Sequence, residues 1–91
     1  MSCIIRIPTQ LRNLTAQEGT VDVEGATVGE ALRALSAAYD GFSERLFDEA
    51  GQLRRFVNVF LADEDIRFLE GLDTPVIAGA TISIVPAVAG G

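Results

Sequence analysis

The chain has 91 residues, the size of one small domain. Its formal net charge is −6, so we expect neither nucleic acid nor an anionic membrane surface as a partner. It contains no His and one Cys, which excludes imidazole chemistry, an internal disulfide and a thiolate zinc cluster.

The first residues of the chain predict a cytoplasmic protein. Residues 1–6 lack the basic start and long apolar stretch of a signal peptide, and no apolar run reaches membrane-spanning length. A single Cys fits a reducing compartment.

Alternation of apolar and polar side chains predicts two strands early in the chain. The first covers residues 3–8 and is closed by a proline, and the second, residues 20–24, alternates strictly. Residues 9–19 between them are polar and predict a loop, held to the core by Leu11 and Leu14. We expect the two strands to pair as an antiparallel hairpin.

A capping box predicts where the main helix begins. The Thr27 hydroxyl is placed to accept an amide hydrogen, and Glu30 is placed to reach back. An apolar stripe follows at helical spacing: Val28, Ala31, Leu32, Leu35 and Tyr39. Asp40 and Gly41 predict its end, and residues 43–47 a further short helical turn.

The second half of the chain predicts another hairpin and a final strand. Residues 55–61 form the strongest strand pattern, residues 62–65 a polar turn, and residues 66–68 a short returning strand. Residues 81–85 alternate again and end at Pro86.

The order hairpin, helix, hairpin, strand predicts an α+β fold. One helix on one face of a mixed four- to five-stranded sheet is the economical packing, the β-grasp or ubiquitin-like arrangement. We expect residues 1–86 to form this domain and residues 87–91 to be a flexible C-terminal tail.

The last residues have the one pattern that indicates chemistry. Pro86 lacks an N–H and cannot continue a ladder, and the residues that follow it are small. They are Ala87, Val88, Ala89, Gly90 and Gly91. Such a tail is thin enough to enter a narrow channel in another protein; the alternative is an ordinary frayed chain end.

On a β-grasp pattern, this ending resembles the sulfur-carrier family. The family includes the small subunit of molybdopterin synthase (MoaD), the thiamine carrier ThiS and the cysteine-route carrier (CysO). Residues 73–75 are similar to the molybdopterin-type carriers. Residues 7–9 with 11–12, residues 43–46 and residues 55–68 are most similar to the cysteine-route carriers. The resemblance covers essentially the whole chain.

The resemblance implies a carrier that is not itself an enzyme. An ubiquitin-activating-type (E1-like) enzyme, of the MoeB/ThiF type, adenylates the terminal Gly91 with ATP and Mg²⁺. A sulfur donor then converts the acyl-adenylate to a thiocarboxylate. Residues 86–90 are the segment that partners recognise. No cofactor is expected to be bound to the carrier.

The resemblance also implies acceptors for the sulfur. In cysteine-route relatives the acceptor is a PLP-dependent cysteine synthase, and a metal-dependent protease then releases cysteine. In molybdopterin-type relatives the sulfur goes to a pterin precursor.

Strand alternation also predicts a partner surface. Ile4, Phe60 and Val85 are expected on the sheet face away from the helix, as an apolar patch near the tail. In the family this face docks the activating enzyme and the acceptor. The alternative is that the polar loop or residues 69–72 cover it.

All seven basic residues are Arg, so no lysine amine is available to attack an activated terminus. The alternative explanation for the absence of lysine is a general compositional preference for Arg over Lys, with no functional meaning. Two other functions remain as alternatives. A ubiquitin-like modifier would use the same tail to form isopeptide bonds on other proteins, whereas in a plain interaction domain the tail would have no role.

Overall fold

A computed structural model describes residues 2–39, 41–54 and 57–86. The sequence expectations at Asp40, Arg55 and Phe56 and in residues 87–91 lie outside the described residues. The strands are β1 Ser2–Arg6, β2 Thr20–Glu24, β3 Val57–Leu61, β4 Glu64–Asp65 and β5 Thr81–Pro86. The helices are α1 Val28–Ala38 and α2 Phe42–Leu46, with 3₁₀ helices at Thr9–Thr15, Ile66–Phe68 and Gly71–Asp73.

Five strands form one mixed sheet in the order β2-β1-β5-β3-β4. β1 pairs antiparallel with β2, as expected for the first hairpin, and parallel with β5. β3 pairs antiparallel with both β5 and β4. The β-grasp arrangement is therefore confirmed, with β5 in the centre of the sheet.

The capping box at the start of α1 forms as predicted, with one difference. The Thr27 hydroxyl accepts the Glu30 N–H at 3.2 Å. Glu30 Oε1 accepts the N–H of Ala26, one residue before the cap, also at 3.2 Å. Two backbone donors at the helix start are thereby satisfied.

The core lies between α1 and the inner face of the sheet. Val28, Ala31, Leu32 and Leu35 of the predicted stripe are fully buried, and Tyr39, just past the helix end, packs partly against them. Phe42 and Leu46 of α2 belong to the same cluster, and the sheet contributes to it Cys3, Ile5, Val23, Val57, Val59, Ile82 and Ile84. Among the described residues, no helix is long and apolar enough to cross a membrane.

Two segments differ from the sequence expectation. The expected returning strand at residues 66–68 is wrong, because Ile66–Phe68 is a 3₁₀ helix and the pairing residues are Glu64–Asp65. The Asp65 side chain accepts the Arg67 N–H at 2.9 Å, which caps the turn and ends the strand. The expected loop after Pro8 is largely the 3₁₀ helix Thr9–Thr15, with Leu11 buried as predicted.

Candidate functional site

The tail begins where β5 pairs with β3. Pro86 lies opposite Val57 in the antiparallel register. The Ala62 N–H donates to Thr81 O at 2.9 Å, so these two residues form a hydrogen-bonded pair between the two strands. Hydrogen-bonded and non-hydrogen-bonded pairs alternate along an antiparallel ladder, and in this register the pair of Pro86 and Val57 is a non-hydrogen-bonded one. A proline is tolerated there, because that pair needs no N–H from it. The central strand therefore extends up to the first tail residue.

The Val57 carbonyl points to the side that β4 no longer covers. The Arg67 guanidinium donates to this carbonyl oxygen at 3.2 Å. The side chain supplies a hydrogen bond where the neighbouring strand has already ended. Next to it, Phe68 is an apolar side chain that is 87% exposed.

The face of the sheet opposite α1 presents polar and charged side chains with three apolar side chains among them. The register aligns Thr20, Arg6, Ser83, Phe60 and Asp65 in one row across all five strands. A second row contains Asp22, Ile4 and Thr81. Val85 lies opposite Asn58, in the row nearest the tail.

The three apolar residues of the expected partner surface share this face but are not all adjacent. Val85 and Phe60 are diagonal neighbours, about 7–8 Å apart. Ile4 lies opposite Thr81, at the end of β5 far from the tail, and Ser83 and Thr81 separate it from Phe60. Val85 and Ile4 are 46% and 36% exposed, and Phe60 is half-buried. The partner role of these residues stays a prediction.

The tail residues named from the sequence lie outside the described residues. These are Ala87, Val88, Ala89, Gly90 and Gly91, and of Pro86 only the backbone is described. Five residues in extended conformation span at most about 17 Å, which is the reach of Gly91 from the end of β5.

Cys3 is part of the core and not of this face. It is 2% exposed, and burial raises the pKa of its thiol, with the negative charge of Glu24 adding to the effect. A thiol that holds its proton is a poor nucleophile, so this residue is structural.

Sequence reasoning missed a cavity of about 550 Å³ beside the end of β5. Its lining includes Arg6, Arg12, Thr20, Ser83 and Val85. Arg12 is held in place because its Nε donates to Ile7 O at 3.1 Å. The alternation of β1 already places Arg6 outward, but no periodic signal places Arg12 beside it.

Comparison with known proteins identifies the kind of chain that carries this site. The sequence model described as the ThiS family matches residues 5–91. The chain is 45% identical to "Sulfur carrier protein CysO" of Mycobacterium tuberculosis over 93 residues, which cover 100% of both chains. It is 40% identical over 68 residues to "Small archaeal modifier protein 3" of Haloferax volcanii, covering 75% of this chain and 73% of the relative.

A solved structure agrees with the sequence relatives. The chain superimposes on one from the crystal structure of the Amycolatopsis orientalis BexX/CysO complex with a TM-score of 0.91 and 44% identity. The match covers 98% of this chain and 99% of that one. The similarity therefore includes the whole β-grasp body.

Proposed function

The chain belongs to the ThiS family of ubiquitin-like sulfur carriers, and from this membership we propose that Gly91 is the residue on which sulfur is carried, as a thiocarboxylate. Carriers of this family are not catalysts themselves. The observation that carries the proposal is the Gly-Gly ending, which three small residues separate in sequence from the central strand of the sheet.

The proposed chemistry begins with a poor electrophile. The negative charge of a carboxylate is delocalised, and oxide is a bad leaving group, so Gly91 must be activated before sulfur can be attached. Attack of a carboxylate oxygen on the α-phosphorus of ATP, with Mg²⁺ on the enzyme, gives the acyl-adenylate and releases pyrophosphate. A sulfide-level donor then attacks the carbonyl carbon, a C–S bond forms, and AMP leaves.

The carrier supplies shape, and its partners supply the catalysis. Two residues without a Cβ at the end of the tail leave the reacting carbon accessible inside a narrow channel. The body behind them is a five-stranded sheet, and Val85 and Phe60 provide apolar contact area on its open face, the face opposite α1. We propose that an E1-like adenylating enzyme of the MoeB/ThiF type docks there.

We propose the cysteine route as the destination of the sulfur. The full-length identity of 45% to relatives named CysO supports it. The acceptor would be a PLP-dependent cysteine synthase, followed by a metal-dependent protease that cuts the product from Gly91. A molybdopterin-type acceptor is the other destination within the family.

The test is intact mass spectrometry after incubation with ATP, Mg²⁺, a sulfide source and the adenylating enzyme of the same organism. We expect the mass gain of one oxygen replaced by sulfur. A variant lacking Gly90 and Gly91 is the control, and it should gain nothing. An unchanged mass in the full chain, while the same enzyme charges its other carriers, would contradict the proposal.

A protein modifier is the second candidate, supported by the similarity to the small archaeal modifier protein. It uses the same tail and the same activation, but the acyl group ends on a lysine of another protein. Branched peptides in which Gly91 is joined to the Nζ of a lysine in another cellular protein, and which disappear when Gly91 is deleted, would favour it. The absence of lysine in this chain prevents it from building polymers on its own side chains.

A further inference from the structure

The cavity beside the end of β5 is a local positive site on an acidic chain. Two of its eleven lining residues are Arg and none is acidic, although the chain carries 13 Asp and Glu against seven Arg. Glu18 and Asp22 are near in sequence but do not line it. The charge at this place is therefore opposite to that of the molecule.

Neither arginine of the cavity is neutralised within the part of the chain that the structure describes. Arg6 is exposed at the end of β1, and Arg12 uses Nε for the Ile7 carbonyl. No ion pair joins either guanidinium to a described carboxylate. A Cβ on Gly19 would lie 3.5 Å from Cζ and Nη2 of Arg12, so this guanidinium lies close to the Gly19 backbone. Two such donors present a ready site for an anionic group.

The position of the cavity indicates whether its anionic ligand is a nucleotide phosphate or a group on the surface of the partner enzyme. Val85 lines it, and the tail begins two residues later. Nucleotide phosphates must meet Gly91 at the far end of the tail, up to about 17 Å away. The cavity lies instead at the base of the tail, where the body of the carrier would face the rim of the partner's channel.

We propose that Arg6 and Arg12 bind acidic side chains at the rim of the channel in the adenylating enzyme. This inference rests on the proposed function and adds the chemistry of the partner's surface. The Arg pair fixes how the body is oriented when the tail is inserted. Apolar contact at Val85 continues the same interface onto the open sheet face.

Charge reversal with a matched control tests the proposal. Arg6→Glu and Arg33→Glu change the net charge equally, but Arg33 is exposed on α1, on the opposite side of the sheet from the open face. Titration of each full-length variant against the adenylating enzyme at low salt should show Arg6→Glu weakened about tenfold and Arg33→Glu within about twofold. Raising the ionic strength should shrink the difference.

The outcomes separate this inference from the proposed function. Equal affinities of Arg6→Glu and Arg33→Glu would overturn the role of the cavity, even when wild type is converted to the thiocarboxylate. Selective weakening by Arg6→Glu, with no thiocarboxylate on wild type, would support the cavity and reject the function. If circular dichroism shows that Arg6→Glu is unfolded, Arg12→Gln replaces it in the same assay. The proposal then expects Arg12→Gln to bind the adenylating enzyme more weakly than Arg33→Glu does, and equal affinities would overturn it.

Discussion

Replacing Gly25 by Ala should destabilise the fold through the start of α1. A Cβ at Gly25 would lie 2.7 Å from Ala31 N, 3.0 Å from Ala31 Cα and 3.1 Å from the Glu30 carbonyl carbon. All three are backbone atoms of the helix, so no side chain can turn away to make room. The helix itself has to move away from the strand that precedes it.

The movement of α1 is opposed on several sides, which sets the size of the effect. Ala31 is fully buried against the sheet, the Val28 N–H donates to Thr74 O at 3.0 Å, and the capping box joins Ala26 to Glu30. Overpacking costs about 1–3 kcal/mol, and weakening the cap costs about 1 kcal/mol more. The lower entropy of the unfolded chain returns about 0.4–1 kcal/mol. The net loss is about 2 kcal/mol, or about 10 °C in Tm for a chain of this size.

Urea unfolding followed by far-ultraviolet circular dichroism measures this loss. Gly19→Ala is the matched control, because its Cβ would meet only the Arg12 side chain, at 3.5 Å, which is an ordinary van der Waals contact. We expect Gly19→Ala to be as stable as wild type or slightly more stable. If Gly25→Ala unfolds at the same urea concentration as Gly19→Ala, the packing argument for the start of α1 is refuted.

Two further predictions concern the cap and the thiol. Thr27→Ala removes the acceptor for the Glu30 N–H and should lower the free energy of unfolding by about 1 kcal/mol. Thr27→Ser keeps the hydroxyl and should retain most of the wild-type stability. An equal loss of stability in both variants would exclude the hydrogen bond as the cause. Burial, with Glu24 second, raises the pKa of Cys3 from its ordinary value of 9.0, so the native state keeps a proton that the unfolded state releases. Stability should therefore decline as the pH rises from about 9 towards the raised native pKa, and Cys3→Ala, though less stable, should lose this slope; an unchanged slope would assign it to other groups.

Local patterns predicted most of the fold because the sheet has one buried face. Alternation identified the inward side chains of β1 and β5, and Thr27 with Glu30 fixed the start of α1. The same rule failed at Ile66–Phe68, where apolar, charged and apolar residues mimic a strand. Only Ile66 is buried there, and the Asp65 carboxylate bends the chain into a 3₁₀ turn. A side-chain cap of this kind competes with strand pairing and leaves no trace in the alternation.

The candidate site was predictable only in part, because local patterns do not encode how distant segments of the chain meet. Alternation placed Ile4 and Val85 on the open face, and the small tail residues were visible in the sequence itself. The separation of Ile4 from Phe60 depends on the strand order, which puts β5 between β1 and β3. The cavity of Arg6 and Arg12 needs a strand, a 3₁₀ helix and β5 to meet, and no local pattern encodes that meeting.

The most direct test of the central claim is alkylation of the native protein isolated from its own organism. A thiocarboxylate on Gly91 reacts with iodoacetamide, whereas the other sulfhydryl group of the chain, Cys3, is buried and holds its proton. We predict a single label on the C-terminal peptide of the folded protein, with Cys3 labelled only after unfolding. A terminal peptide that stays unlabelled in cells actively making sulfur metabolites, while unfolded Cys3 reacts fully, would contradict the claim that this tail carries sulfur.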